Sequence, residues 1–312
     1  MNTPLRLPPA LARHFAVATF LCAIPLIAFG GSITTLGAGM AVEGWWDAEG
    51  HFMPFFPLEK WFRDLGTFVE HTHRLFGMLV GLLAIGTVVV DLVKRAPARR
   101  TAMAFAALVA VSIQGAIGGF RVLENSPALA ELHGLVAQIV FALLGLNALV
   151  HSRRWVTCDG VAPAAPRALA LGVAALVFVQ ITVGVYYRHD LRPVPLEDIT
   201  WLLHLHLGLA VVVLAAVVVL GRQLASAASR ATGGAARVLR AQKARLHALL
   251  GVQITLGLIA WLSHSADEPE RVTKPLLVSS FLHVTFGALL LAAAAVAVAW
   301  THRARRGPEA GP

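Results

Sequence analysis

Charge is scarce in this sequence. Of its 312 residues only 14% are Asp, Glu, Lys or Arg, against roughly a quarter in soluble domains. A water-soluble chain of this size could not hide 57% hydrophobic residues and a mean hydropathy of +0.70, so a soluble enzyme is excluded first. Cysteine is scarce too. Two residues, Cys22 and Cys158, cannot supply a disulfide framework. Disordered, collagen-like and small secreted proteins go with it, because each needs a polar, glycine-periodic or cysteine-rich composition.

What is present is one apolar run after another. A bilayer core takes about 20 helical residues, and eight such spans can be read, at 14–36, 67–90, 101–120, 130–150, 168–187, 199–220, 245–263 and 278–300. The first follows Arg6 and Arg13 as a signal peptide would, but its apolar run is long and no small-residue cleavage site stands out, so it is read as a retained helix. The connecting segments differ sharply in basic residues. One side collects the clusters around Lys94–Arg100, Arg153–Arg167, Arg222–Arg245 and Arg303–Arg306. The other holds Lys60, Arg63, Arg121, Arg188, Arg192, Arg271 and Lys274 together with most of the acidic residues. The positive-inside rule then puts both termini in the cytoplasm of a multi-pass inner-membrane protein. The net charge of +9 becomes topology, and no nucleic-acid partner is expected.

Two connections stand out. The basic stretch 221–245 reads as a solvated loop with helical propensity. The outer segment 38–66 is aromatic, with Trp45, Trp46, Phe52, Phe55, Phe56, Trp61 and Phe62. Such residues suit the membrane interface, and a lid over a site is the second reading.

An internal repeat runs through the chain. Gln114, Gln180 and Gln253 are each followed four residues on by glycine, at 118, 184 and 257, in spans three, five and seven. The even-numbered spans each begin on the outer side with histidine: His73, His133, His204 with His206, and His283. The offsets from His73 to His206 and from His133 to His283, 133 and 150 residues, match apart from loop lengths. The reading is an all-α membrane protein of two tandem, pseudo-symmetric four-helix bundles, residues 1–160 and 161–312.

Ionisable residues within a membrane are costly and mark function by default. One histidine at a helix end can sit wet at the interface and do nothing; four even-numbered helices carrying one at similar depth is a different observation. Spans two and four run the same way, so His73 and His133 lie at one level and can take the two axial positions of a haem iron, as can the pair in spans six and eight. Zinc, the competing metal, wants three or four ligands, usually with cysteine or carboxylate among them. His204 and His206 lie about 200° apart around their helix and cannot both face one site. Matching His71-Thr-His73 to His204-Leu-His206 favours His206, with His204 as the alternative. Glu70 shares a helix face with His73 and could act as a proton acceptor or as a partner of the histidine; the equivalent position before His206 is Leu203. Arg74, opposite Leu207 in the repeat, suits a haem propionate.

These residues resemble the haem A synthase family of eight-helix membrane proteins. The likeness is carried by Glu70-x-x-His73-Arg74, by Gly30-Gly31 with Thr34 and Thr35, by Val183-Gly184-x-Tyr186-x-Arg188-His189, and by the outer-end histidines. It implies oxidation of the C8 methyl of haem o to a formyl group through successive hydroxylations and a gem-diol, giving haem a for cytochrome oxidase. It also implies haem o as substrate between His73 and His133, haem b as cofactor between His206 and His283, and Glu70 as the catalytic carboxylate. The implied partners are the synthase that supplies haem o, an external electron partner, the bilayer and a second copy of the chain. The chain departs from those family members that carry cysteine pairs in outer loops, since Cys22 falls in a span and Cys158 in a cytoplasmic segment. Two other classes compete: a dihaem b-type electron carrier, which has no need of Glu70, and a transporter, favoured only by the duplication.

Overall fold

A computed structural model describes residues 9–190, 196–263 and 272–306, without the side chains of 189–190, 196–200 and 306. Arg6, Arg192, Arg271 and the His189 side chain lie outside the described residues. The helices are α1 (Ala10–Leu36), α2 (Leu58–Trp61), α3 (Leu65–Val93), α4 (Ala98–Leu123), α5 (Pro127–Val150), α6 (Arg153–Thr157), α7 (Arg167–Asp190), α8 (Leu196–Ser229), α9 (Gly233–Leu262) and α10 (Lys274–Arg306). All except α2 and α6 are long and apolar enough to cross a membrane, which makes eight candidate spans among the described residues. Only 11% to 44% of each span's most apolar stretch is buried inside the protein. The rest points outward, where only lipid makes an apolar side chain favourable.

Local chemistry sets the helix ends. Gly37 closes α1 at φ +64°: its N–H bonds Thr34 C=O, and Ala38 N–H reaches back to Ile33 C=O at 3.0 Å. That is a Schellman ending, which needs a residue at ease in the left-handed region. Asp64 caps α3 by accepting from Thr67 N–H at 2.8 Å, and Ser126 caps α5 ahead of Pro127.

Packing follows a simple order. Helix α1 lies against α3 and α5, α3 against α4, and α4 against α5. In the second half α7 lies against α8 and α10, α8 against α9, and α9 against α10. Contacts of α10 with α1 and α5, and of α5 with α7, join the two sets. One apolar core runs through both, with Phe141, Leu144, Leu220, Leu224, Leu239 and Leu246 fully enclosed.

The basic stretch 221–245 is not a loop. Helix α8 continues to Ser229 and α9 starts at Gly233, because Leu224, Ala227, Ala228, Ala235, Val238 and Leu239 are buried against neighbouring elements and hold both helices together. Thr232 N–H bonds Val161 C=O at 3.0 Å and Ala162 N–H bonds Ala304 C=O at 2.7 Å, tying the ends at this basic face.

The 38–62 segment is itself folded. It contains a two-strand ladder, β1 (Asp47–Ala48) with β2 (His51–Phe52), and a small core of Val42, Ala48, Met53 and Phe56 set against Trp61, Leu75 and Met78. Its aromatics divide by role. Phe56 is inside and Trp45 packs inward, whereas Phe52, Phe55 and Phe62 are exposed. Arg63 holds the segment from below with two bonds to Glu49, at 2.7 and 3.0 Å, and one to Ala41 C=O at 2.8 Å. The guanidinium of Arg63 keeps the Glu49 carboxyl below the usual carboxylate range, and the Thr67 N–H and hydroxyl do the same for Asp64.

Candidate functional site

Four histidines meet in two pairs. The rings of His73 (α3) and His133 (α5) are centred 6.2 Å apart, and those of His206 (α8) and His283 (α10) 6.3 Å apart. Two imidazoles bound at about 2 Å on opposite sides of one metal, with about 1 Å from nitrogen to ring centre, place their centres ~6 Å apart. Among the described residues no group of three or more His, Cys, Asp or Glu is arranged to hold a metal ion, so the donor set suits two-histidine axial ligation and not a tetrahedral site. His204, two residues from His206, is exposed on the outer surface of α8.

Each of these four imidazoles lies against a glycine on a neighbouring helix. A Cβ on Gly30 would sit 3.0 Å from Cε1 of His73, one on Gly118 2.7 Å from that of His133, one on Gly184 3.0 Å from that of His206, and one on Gly257 2.9 Å from that of His283. The glutamine four residues earlier completes the seat. Gln114 meets His133 Nδ1 at 3.0 Å and donates to its C=O at 2.9 Å; Gln180 donates to His206 C=O at 2.9 Å; Gln253 contributes its own C=O to His283 Nδ1 at 3.1 Å and its amide to Nε2 at 3.2 Å. In α1 the glutamine's place is taken by Leu26, whose backbone C=O lies 3.0 Å from His73 Nδ1. A carbonyl only accepts, so Nδ1 of His73 carries the proton and Nε2 keeps its lone pair.

Glu70 is 1% exposed and both its oxygens are engaged, Oε1 by Arg74 at 2.8 Å and Oε2 by Val42 N–H at 2.9 Å. Arg74 also donates to the carbonyls of Val42 and Gly44, each at 2.8 Å. The pair therefore clamps the backbone of residues 42–45 onto the outer part of α3 that carries His73. Trp45 then lies flat on α4, where a Cβ on Gly119 would fall 2.3 Å from its ring, next to the glycine that seats His133. Arg121, one turn further along α4, donates to Gly39 C=O at 3.2 Å. Arg121 shares a face of α4 with Gly118, the seat of His133, and so brings a second guanidinium to the outer end of this pair.

In the second half Leu203 stands where Glu70 does in the first. Arg188, from α7, crosses to α1 and donates to Gly31 C=O and to Thr35 Oγ1. The missing side chain of Gly31 admits α10 at Phe281 and Val284, next to His283. Gly30 thus faces one histidine pair and Gly31 the other.

The sequence reading singled out every histidine of the two pairs, together with Glu70 and Arg74, but not the groups that shape their surroundings. The glutamine–glycine repeat was visible only as a repeat; its meaning as a histidine seat needs the packing of odd helices on even ones. Arg121 and Trp45 carried no signal beyond charge and aromaticity. A buried cluster lies at the opposite end: His151 has Nε2 2.9 Å from an Asp91 carboxylate oxygen and Nδ1 2.8 Å from Asn147 C=O, with Arg100 3.3 Å from the same carboxylate.

Comparison with known proteins adds a family. The sequence model described as a cytochrome oxidase assembly protein, COX15-CtaA, matches residues 13–191, a region holding Glu70, His73, Arg74 and His133. The heme A synthase of Symbiobacterium thermophilum is 30% identical over 188 residues, covering 57% of this chain and 59% of that protein. The heme A synthase of Paracoccus denitrificans is 32% identical over 154 residues, 46% of this chain and 39% of its own length, and that of Sphingopyxis alaskensis 29% identical over 210, 57% and 58%. The chain thus spans between about two fifths and three fifths of the length of these curated relatives. With more than half of its residues matched by the family's sequence model, the chain belongs to the COX15-CtaA family of cytochrome oxidase assembly proteins.

Proposed function

We propose that this protein is a haem A synthase, converting the C8 methyl of haem o to a formyl group by two hydroxylations and loss of water from the resulting gem-diol. One observation carries the reading: of two similarly seated histidine pairs, among the described residues only the first has a carboxylate on the ligand face, Glu70 where the second has Leu203. The substrate haem o belongs between His73 and His133, and haem b between His206 and His283, where it supplies one-electron transfer when bound. The fit of both groups rests on paired imidazoles at the spacing two axial ligands need, and on glycines that leave the rings their space.

The residues around the first pair then have defined tasks. His73, its Nδ1 proton held by Leu26 C=O, presents Nε2. Glu70 is the group that accepts a proton at a carboxylate oxygen near the reacting methyl; to do so it must give up one of its two donors, Arg74 or Val42 N–H. Arg74 orients Glu70 and the loop, and Arg121 is the second guanidinium within reach of a propionate. Trp45 and the clamped segment 42–45 shield this chemistry from water. The two sets of four helices are read as tandem, pseudo-symmetric bundles. Both termini lie in the cytoplasm, and the histidine pairs lie near the outer face of the inner membrane.

A second reading has its own support. The engagement of both Glu70 oxygens by the loop clamp is what a purely structural carboxylate would show, and in that case the protein is a dihaem b-type electron carrier. Glu70→Gln separates the two. In a host that makes haem o, the synthase reading expects both haem sites filled and formyl haem lost; undiminished haem a would sink it.

A further inference from the structure

We propose that the hollow at the basic end of the molecule, opposite the histidine pairs, binds the phosphate group of an anionic membrane lipid. It encloses about 250 Å³ between the end of α5, α6, α9 and α10, and no acidic side chain lines it. Arg154 and Arg245 both line it, so two guanidiniums face one hollow with no acidic side chain in its lining. In its wall Gln242 is 1% exposed, with Oε1 buried and without a partner, so an amide that turns its NH2 inward adds a donor. Ser152 accepts from Trp155 N–H at 3.1 Å through its hydroxyl oxygen and so keeps its proton to donate.

The source of the phosphate follows from position. Arg154 comes four residues after the apolar span α5 ends, and Arg245 stands where the apolar part of α9 begins, so both guanidiniums lie at headgroup depth. Leu149, Val238 and Trp300 give the same hollow an apolar side for glycerol and acyl carbons. Trp300 is held in place from behind, since Trp155 packs edge-on against it at 4.8 Å and Arg303 sits over Trp155 at 5.0 Å. Arg153, Arg240 and Lys243 flank the site and draw anionic lipid toward it.

The test is native mass spectrometry of the full-length protein exchanged into micelles containing phosphatidylglycerol or phosphatidylcholine. The wild type is expected to retain one phosphatidylglycerol per chain, about tenfold more than phosphatidylcholine, and R154Q/R245Q to lose that preference. R154K/R245K, which keeps charge without the guanidinium fork, is expected to fall between them. Should the double glutamine variant not fold, R245Q alone is compared. Equal retention of the two lipids, or unchanged retention in the variants, overturns the proposal. A parallel titration of lipid-free protein with inorganic phosphate separates the sources: binding as tight as that of the lipid assigns the site to free phosphate and overturns the lipid assignment.

Discussion

A methyl group on Gly118 would lie 2.7 Å from Cε1 of His133, closer than carbon atoms approach without displacement. The same relationship recurs at Gly30 with His73, Gly184 with His206 and Gly257 with His283. Each glycine forgoes about 1 kcal/mol of helix propensity relative to alanine, and the return is a fixed imidazole.

That arrangement makes a paired prediction. Gly118→Ala should displace His133 and reduce haem in the first half, while Gly115→Ala, three residues away with nothing within 4 Å of its added methyl, should leave haem content unchanged. Gly257→Ala and Gly251→Ala form the same contrast for the second half. Haem per chain and the low-spin absorption spectrum of each purified variant check it. Equal effects within a pair would remove the steric argument.

Glu70 and Arg74 form a buried ion pair, 1% and 8% exposed, and breaking such a pair from one side costs about 3–5 kcal/mol. Arg74→Leu strands the Glu70 carboxylate and frees three loop carbonyls, those of Val42, Gly44 and Trp45. It should lower the melting temperature and open residues 38–62 to proteolysis, as measured by digestion followed by mass spectrometry. Glu70→Gln, whose one oxygen can still accept from Val42 N–H while Arg74 keeps its loop carbonyls, should open the loop less than Arg74→Leu.

The loop also has an acid limit. Arg63 holds the Glu49 carboxyl below its ordinary range and Thr67 does so for Asp64, so both are charged in the folded loop at neutral pH. Depressed carboxylates add stability above their unfolded pKa, and that contribution disappears as pH falls through the lower folded value. Loop proteolysis should therefore rise as pH falls below the ordinary carboxylate range and be far less pH-dependent in Glu49→Gln. Both groups lie near the surface, so added salt should weaken the effect.

At the other end, Asp91 binds His151 and faces Arg100 in a site where Asp91 and His151 are fully enclosed. Asp91→Ala leaves a buried guanidinium without its anion, and the expected loss is again about 3–5 kcal/mol. The haem spectrum should not change, because the cluster sits at the far end of α3 and α5 from His73 and His133.

Much of this was readable in advance, for physical reasons. Apolar length and the sidedness of Lys and Arg depend on single residues and their spacing, so all eight spans were visible. Periodic histidines at equivalent depths exposed both pairs. Choosing His206 over His204 by sequence rested on alignment of two short runs; in the structure His204 points outward and His206 lies against Gly184. What could not be read is what arises between helices. Gly119 announces nothing until Trp45, 74 residues earlier, is found lying on it. The segment 221–245 looked like a loop because its arginines mask the alanines and leucines that pack. The aromatic segment divides by burial: Phe52, Phe55 and Phe62 are exposed, whereas Phe56 is buried and Trp45 lies against Gly119.

The most direct test is to extract the bound pigments from the purified protein and identify them by chromatography and mass. The account predicts haem b together with haem o, a hydroxylated intermediate or haem a. Haem b alone, at two per chain, would contradict it.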